Sequence, residues 1–172
     1  NANLKNAVGI AVGLGDTSEV WPSRPTPGVN RGYQPGILRA DGTLREWTGA
    51  CGPHIYRGSL LPISMRNSAF VCEPCGNFVR FTQLSERDGW LVARNPAPGS
   101  EFLSSTDERF RPVNLCGGPD GAVYIADFYR GILQHRVFLT SYLRKQIEER
   151  KLEDPGGRGR IWRIVPAATT AT

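Results

Sequence analysis

Residues 68–84, "SAFVCEPCGNFVRFTQL", decide the fold. Two apolar runs rich in Phe and Val flank the sequence Glu-Pro-Cys-Gly-Asn, whose proline, glycine and asparagine supply the backbone conformations a reversal needs. The stretch therefore reads as strand, tight turn, strand. The same pair returns further on as "GAVYIADF" (121–128) and "GRIWRIV" (159–165), now with an insertion between its two members. Other strands fit around these. "GILRADGTLREW" (36–47) reads as a hairpin turning at Asp41-Gly42, "GWLVAR" (89–94) follows the first pair, and "RFRPVNL" (109–115) precedes the second.

Small antiparallel sheets recurring at about 50 residues are the pattern of a β-propeller, so the expected fold class is all-β. The insertion carries one helix, "TSYLRKQIEERKL" (140–152). Thr140 or Ser141 caps it, Leu143, Ile147 and Leu152 form its apolar stripe, and Pro155 with Gly156-Gly157 ends it. Residues 15–35, rich in Pro, Gly, Ser and Arg, read as a long loop, and the closing "PAATTAT" as a linker.

Composition agrees. In 172 residues, 40% of them hydrophobic, there is material for one core, and 20 glycines with 13 prolines favour many short strands over long helices. No apolar run approaches the roughly 18 residues that span a bilayer, and the N-terminus shows neither the basic segment nor the apolar stretch of a secretion signal, so any export signal is expected to be gone already. The net charge of +5 is scattered along the chain, with no helix or aromatic-studded strand to collect it, which argues against nucleic acid. Arginine outnumbers lysine 18 to 3. A guanidinium fork suits carboxylate or phosphate, although a biased composition accounts for most of these residues equally well.

Four segments, "ACGPHIYRGSLLP" (50–62), "AFVCEPCGNFVRF" (69–81), "EFLSSTDERFRPVNLCGGPDGAVYIADFYRGILQHR" (101–136) and "GRGRIWRIVP" (157–166), together resemble the propeller of planctomycete-type "membrane-bound dehydrogenase" proteins. That family is related to the soluble quinoprotein glucose and sorbosone dehydrogenases. The resemblance runs from about residue 33 to 166. It implies a six-bladed ring of which residues 1–166 are the C-terminal part, the last two to three blades, with 167–172 as linker or tail. The remaining blades then come from the same parent chain or another subunit. The implied function is oxidation of a carbohydrate or alcohol by a quinone cofactor, with electrons passed to a c-type cytochrome whose haem sits on a separate domain or partner. A periplasmic or extracellular location follows. The alternative is a non-catalytic propeller acting as a binding or assembly module in an extracytoplasmic complex.

In the soluble quinoproteins a segment Arg-x-Arg, then Pro-Asp-Gly and a strand, brings two arginines to the carboxylates and quinone oxygens of pyrroloquinoline quinone. Arg109 and Arg111, followed by Pro119-Asp120-Gly121, are similar in order and nearly in spacing. Residues two apart on a strand face one side, so both side chains are expected at one ligand. A competing reading pairs Arg111 with a buried carboxylate, Asp127 or Glu73, and leaves Arg109 in solvent. His54, Arg57, Glu73 and Arg130 are candidates for a substrate or channel rim, with a hydrogen-bonded structural role as the alternative for His54 and Arg130. Cys75 stands where the quinoproteins place a lysine and supplies no charge. The general-base histidine of those enzymes belongs to an earlier blade, so no catalytic residue is assigned here.

Cys72-Glu-Pro-Cys75 is a C-x-x-C motif with no histidine after it, which excludes haem attachment. A zinc site would need Cys51 and Cys116 as well, with only one C-x-x-C present, so no metal is expected. Disulfides are favoured, in keeping with export. Cys51 and Cys72 belong to the family-like motifs and Cys75 and Cys116 are extra to them, so of the three possible pairings the resemblance favours Cys51 to Cys72 with Cys75 to Cys116.

Overall fold

A computed structural model describes residues 19–154 and 156–167. The expected 167–172 tail beyond its first residue, and Pro155 as a helix stop, lie outside the described residues. Strand β1 (Cys51–Ile55) lies on the outer edge of β2 (Ala69–Glu73), and β2 pairs antiparallel with β3 (Phe78–Arg87). Asn77 closes the β2–β3 turn at φ 58°, a left-handed conformation that asparagine tolerates well. β3 is long enough to hold two further partners, β4 (Trp90–Arg94) along its far half and β5 (Leu103–Ser104) at its start. The second sheet runs β6 (Pro112–Gly117), β7 (Val123–Asp127), β8 (Arg160–Ile164), again antiparallel. Among the described residues the fold is all-β with one α-helix, as the alternation predicts, and neither sheet closes on itself.

Cross-strand partners share a face, so register fixes what each sheet buries. Phe70 lies opposite Phe81 and Cys72 opposite Val79, and these four pack against Leu115, Val123 and Ile125 of the second sheet. Tyr56 closes the side of this core. Its hydroxyl donates to the Gly121 carbonyl at 2.7 Å and accepts from the Leu61 N–H at 2.8 Å. Each such aromatic contributes about 1.5–3 kcal/mol by leaving water. The other face of the first sheet presents Phe78 to Val20, Val29, Leu44 and the half-buried Trp47 of the N-terminal segment. The order is thus N-terminal segment, first sheet, second sheet.

The predicted hairpin at 36–47 keeps its turn and loses most of its ladder. Gly42 takes φ 79° and the Arg39 N–H reaches the Thr43 carbonyl at 2.8 Å, but one bridge, Leu38 opposite Leu44, is all that forms. The sheets meet along the edges of β1 and β6. A Cβ on Gly52, φ 54°, would come within 2.6 Å of the Asn114 Cα, so this approach admits only glycine.

Helix α1 (Ser141–Arg150) starts as predicted, with the Thr140 hydroxyl accepting from the Leu143 N–H at 3.2 Å. It ends earlier than predicted, at Lys151 in the left-handed conformation, φ 53°, and not at Gly156-Gly157. The reason is the apolar stripe: Leu152 donates its N–H to the Ile147 carbonyl at 3.0 Å and buries with Leu143 and Ile147 against Ile132 and Leu139. Tyr142 ties the helix to the N-terminal loop through the Pro27 carbonyl at 2.8 Å. Among the described residues no helix is long and apolar enough to cross a membrane.

Candidate functional site

The segment entering β6 buries Arg111 almost completely, at 4% exposure. Its guanidinium donates to three backbone carbonyls, Nε to Arg130 at 2.9 Å, Nη1 to Pro74 at 2.7 Å and Nη2 to Gly131 at 2.5 Å. Neither carboxylate named in the sequence reading neutralises it. Asp127 Oδ1 instead accepts the backbone N–H groups of Arg111 at 2.8 Å and Tyr129 at 2.9 Å, and its Oδ2 accepts from Trp162 Nε1 at 3.0 Å and faces Arg160. Among the described residues no ion pair includes Arg111, and burial lowers its pKa from the ordinary arginine value. Among the described residues three of its five N–H groups are engaged, which fixes the head and leaves two.

Arg111 forms part of the wall of a cavity of about 530 Å³, shared with Trp47, Thr48, Cys75, Ile132 and Gln134. The walls come from the N-terminal loop, the β2–β3 turn, the start of the insertion and α1, so the cavity exists only in the folded chain. Arg31, exposed, is at the same opening.

Beside it, Glu73 is fully buried and accepts from the Thr48 N–H at 2.9 Å, the Gly49 N–H at 2.8 Å, the Cys75 N–H at 3.0 Å and the Thr48 hydroxyl at 3.4 Å. Desolvation raises its pKa, and the hydrogen bonds oppose that rise without cancelling it. Glu73 anchors the wall that carries Thr48 and Cys75. Burial likewise raises the Cys75 thiol, with the neighbouring Arg111 charge working the other way.

The structure separates Arg109 from Arg111. Arg109 donates to the Asp154 carbonyl at 2.6 Å and the Lys151 carbonyl at 3.1 Å, just beyond the C-terminus of α1. The expectation of a common side fails because β6 begins only at Pro112: the Phe110 N–H turns back to the Asp107 carbonyl at 3.1 Å, and strand alternation does not apply there. The rim residues are also dispersed. His54 lies over Gly117 at the β1–β6 seam with its Nε2 buried and without a hydrogen bond, and desolvation lowers its pKa. Arg57 is exposed. Arg130 places its guanidinium over the Phe128 ring at 5.6 Å and takes part at the site through its carbonyl alone.

All four cysteines are free thiols in the structure. Cys75 lies in the β2–β3 turn and Cys116 on β6. Cys75 neighbours the charge of Arg111, which precedes β6, and Cys116 stands exposed within that strand. No group of three or more metal-ligating side chains forms among the described residues.

The sequence reading also missed a buried ion pair. Arg80 Nε and Nη2 donate to Glu101 at 2.9 and 2.5 Å, Nη2 also reaches the Glu19 carbonyl, and the guanidinium lies 5.0 Å from the Trp47 ring centre. The signal was present: an arginine between Val79 and Phe81, inside an apolar strand, requires a partner.

A family profile described as a domain of unknown function, DUF7133, matches residues 4–168. The chain belongs to that family. No curated protein and no solved structure matches it. The DUF7133 match covers both sheets, α1 and every wall of the Arg111 cavity, so these parts belong to one unit.

Proposed function

We propose that this DUF7133 domain is the ligand-binding C-terminal portion of a six-bladed, dehydrogenase-like β-propeller, and that the Arg111 cavity takes an anionic ligand of the carboxylated-quinone class. One observation carries the reading: a buried arginine without a carboxylate partner among the described residues borders a cavity of small-molecule size. An isolated charge is costly to bury, and a bound anion offsets that cost. Carbonyls hold the head rigid, so two N–H groups can meet a carboxylate with little reorganisation.

Pyrroloquinoline quinone, with three carboxylates, fits these residues in part. Arg111 suits one carboxylate and Arg31 lies at the opening, but Arg109 is engaged with α1 and Cys75 brings no positive charge. Among the described residues no Asp, Glu or His lines the cavity, so oxidation of a sugar or alcohol would draw its base from the remaining blades of an exported protein, with a c-type cytochrome as acceptor. Titration of the chain with pyrroloquinoline quinone, followed by the cofactor's absorbance, tests the proposal. Saturable binding that weakens about 10- to 100-fold in Arg111→Gln is expected, the worth of a charge-assisted hydrogen bond. Absence of binding to the parent chain overturns it.

A second reading, the non-catalytic assembly module, rests on the open side of the second sheet. Among the described residues no strand pairs with the outer edge of β8, and Ile161, Trp162 and Val165 are exposed there, Ile161 at 67%. Such an edge invites another sheet. A chain that ignores the quinone yet associates with the rest of its propeller supports this reading over the first.

A further inference from the structure

We propose that Cys51 and Cys72 close a cross-strand disulfide that staples β1 to β2, while Cys75 and Cys116 stay as thiols. Cys51 and Cys72 are directly opposite partners in the β1–β2 ladder. Directly opposite residues bring their Cα atoms to about 4.5–5.5 Å, inside the 4.4–6.8 Å range of disulfides, and point their side chains to one face. Both do pack in the core between the two sheets. Cys75 instead packs on the other face with Phe78 and Trp47, and Cys116 sits exposed in the second sheet.

The ladder is weak where the pair sits. β1 registers with β2 at Cys51, then at His54 and Ile55, with an irregularity between. The N-terminal end of the strand therefore depends on the Cys51–Cys72 step. Just before it lie Trp47 and Thr48, which wall the Arg111 cavity. A covalent tie here fixes that wall.

The chemistry needs an oxidant, and a small disulfide such as oxidised glutathione suffices. The half-buried Cys51 thiolate attacks it, forming a mixed disulfide and releasing one glutathione thiolate. The Cys72 thiolate then attacks the Cys51 sulfur and releases the second. Two protein thiols lose two electrons and two protons, and one disulfide is reduced to two thiols. Burial raises the thiol pKa of Cys51 to about 11 and of Cys72 to about 12, so thiolate is scarce at neutral pH in the folded protein. Closure of the folded chain is expected to be slow near pH 7 and to accelerate roughly tenfold per pH unit.

The test is peptide mapping of the full chain, equilibrated in glutathione buffer and alkylated without reductant. The tryptic peptide 67–80 contains both Cys72 and Cys75, so the Cys75→Ser variant is mapped in parallel. A link between peptides 46–57 and 67–80 that persists in Cys75→Ser and disappears in Cys72→Ser, with Cys116 alkylated throughout, is the expected result. The oxidised parent should also melt higher than the reduced one. Four alkylated thiols under oxidising buffer, or a link lost in Cys75→Ser, overturns the proposal. The parent map decides between a link and none even if a variant fails to fold, and it is independent of quinone binding.

Discussion

Arg80 and Arg111 are both buried arginines within the same small domain, and they are held in opposite ways. Arg80, at 1% exposure, meets the fully buried carboxylate of Glu101 with two nitrogens and stacks near Trp47. Among the described residues Arg111 meets only carbonyl oxygens. A neutralised pair has no charge to offer a ligand, and its role is to join the N-terminal segment to the first sheet through Glu19 and Trp21. A cation whose partners are neutral keeps its field, and that field reaches a cavity. The difference separates a structural charge from an available one.

The largest expected effect breaks the first half of this comparison. Arg80→Ala leaves the Glu101 carboxylate buried and alone, a loss of about 3–5 kcal/mol in chemical denaturation. A loss below about 1 kcal/mol would show that the pair is not buried in solution. Arg111→Ala strands three carbonyls and no charge, so a smaller loss of about 1–3 kcal/mol is expected, together with loss of anion binding. A variant that is as destabilised as Arg80→Ala, with ligand binding intact, would place Arg111 with Arg80 as a structural charge.

Glu73 sharpens the comparison through pH. Its folded pKa is raised, so between the ordinary carboxyl value and that raised value the native state holds the proton and the unfolded chain does not. The stabilisation is full below the ordinary value and is lost as pH rises through the folded one. Glu101 carries the same sign, and Asp41 and Asp120, with lowered values, act in the opposite sense at more acidic pH. Glu73→Gln should therefore flatten part of the decline in melting temperature that follows as pH rises above the ordinary carboxyl value. An unchanged slope would assign the decline to Glu101. The smallest effect belongs to Arg109→Ala, where two carbonyl contacts at a solvent-facing helix end are lost: about 1 kcal/mol or less, and no change in anion binding.

The strand pairs were legible because alternation of apolar residues and turn chemistry are local. Residues 68–84 and 121–128 needed nothing beyond themselves, and the start of α1 was legible for the same reason, since the Thr140 hydroxyl caps the turn that directly follows it. The candidate site was legible only in part. Arg111 was named, but what holds it, the carbonyls of Pro74, Arg130 and Gly131, is backbone from distant turns that any residue type could provide. Arg109 was misplaced because the strand starts one residue after Arg111, a boundary the local pattern does not define. The hairpin at 36–47 formed one bridge because Phe78 and Trp47 draw its side chains into a core, a tertiary preference that overrides local pairing.

The spacing of α1 within the second sheet has a consequence for the order of assembly. β2 and β3 are joined by residues 74–77, whereas β7 and β8 are separated by residues 128–159. Three doublings of loop length add about 2 kcal/mol of closure entropy before β8 gains any contact. The first sheet is thus expected to form early and to present Phe70 and Phe81 as a template, and β8 to join late. Pulse-labelled hydrogen exchange during refolding should protect the amides of β3 before those of β8, and simultaneous protection would count against this sequence. Until β8 arrives, the edge of β7 is open, and the interval in which the chain is most prone to pair with a wrong strand is set by the length of its own insertion.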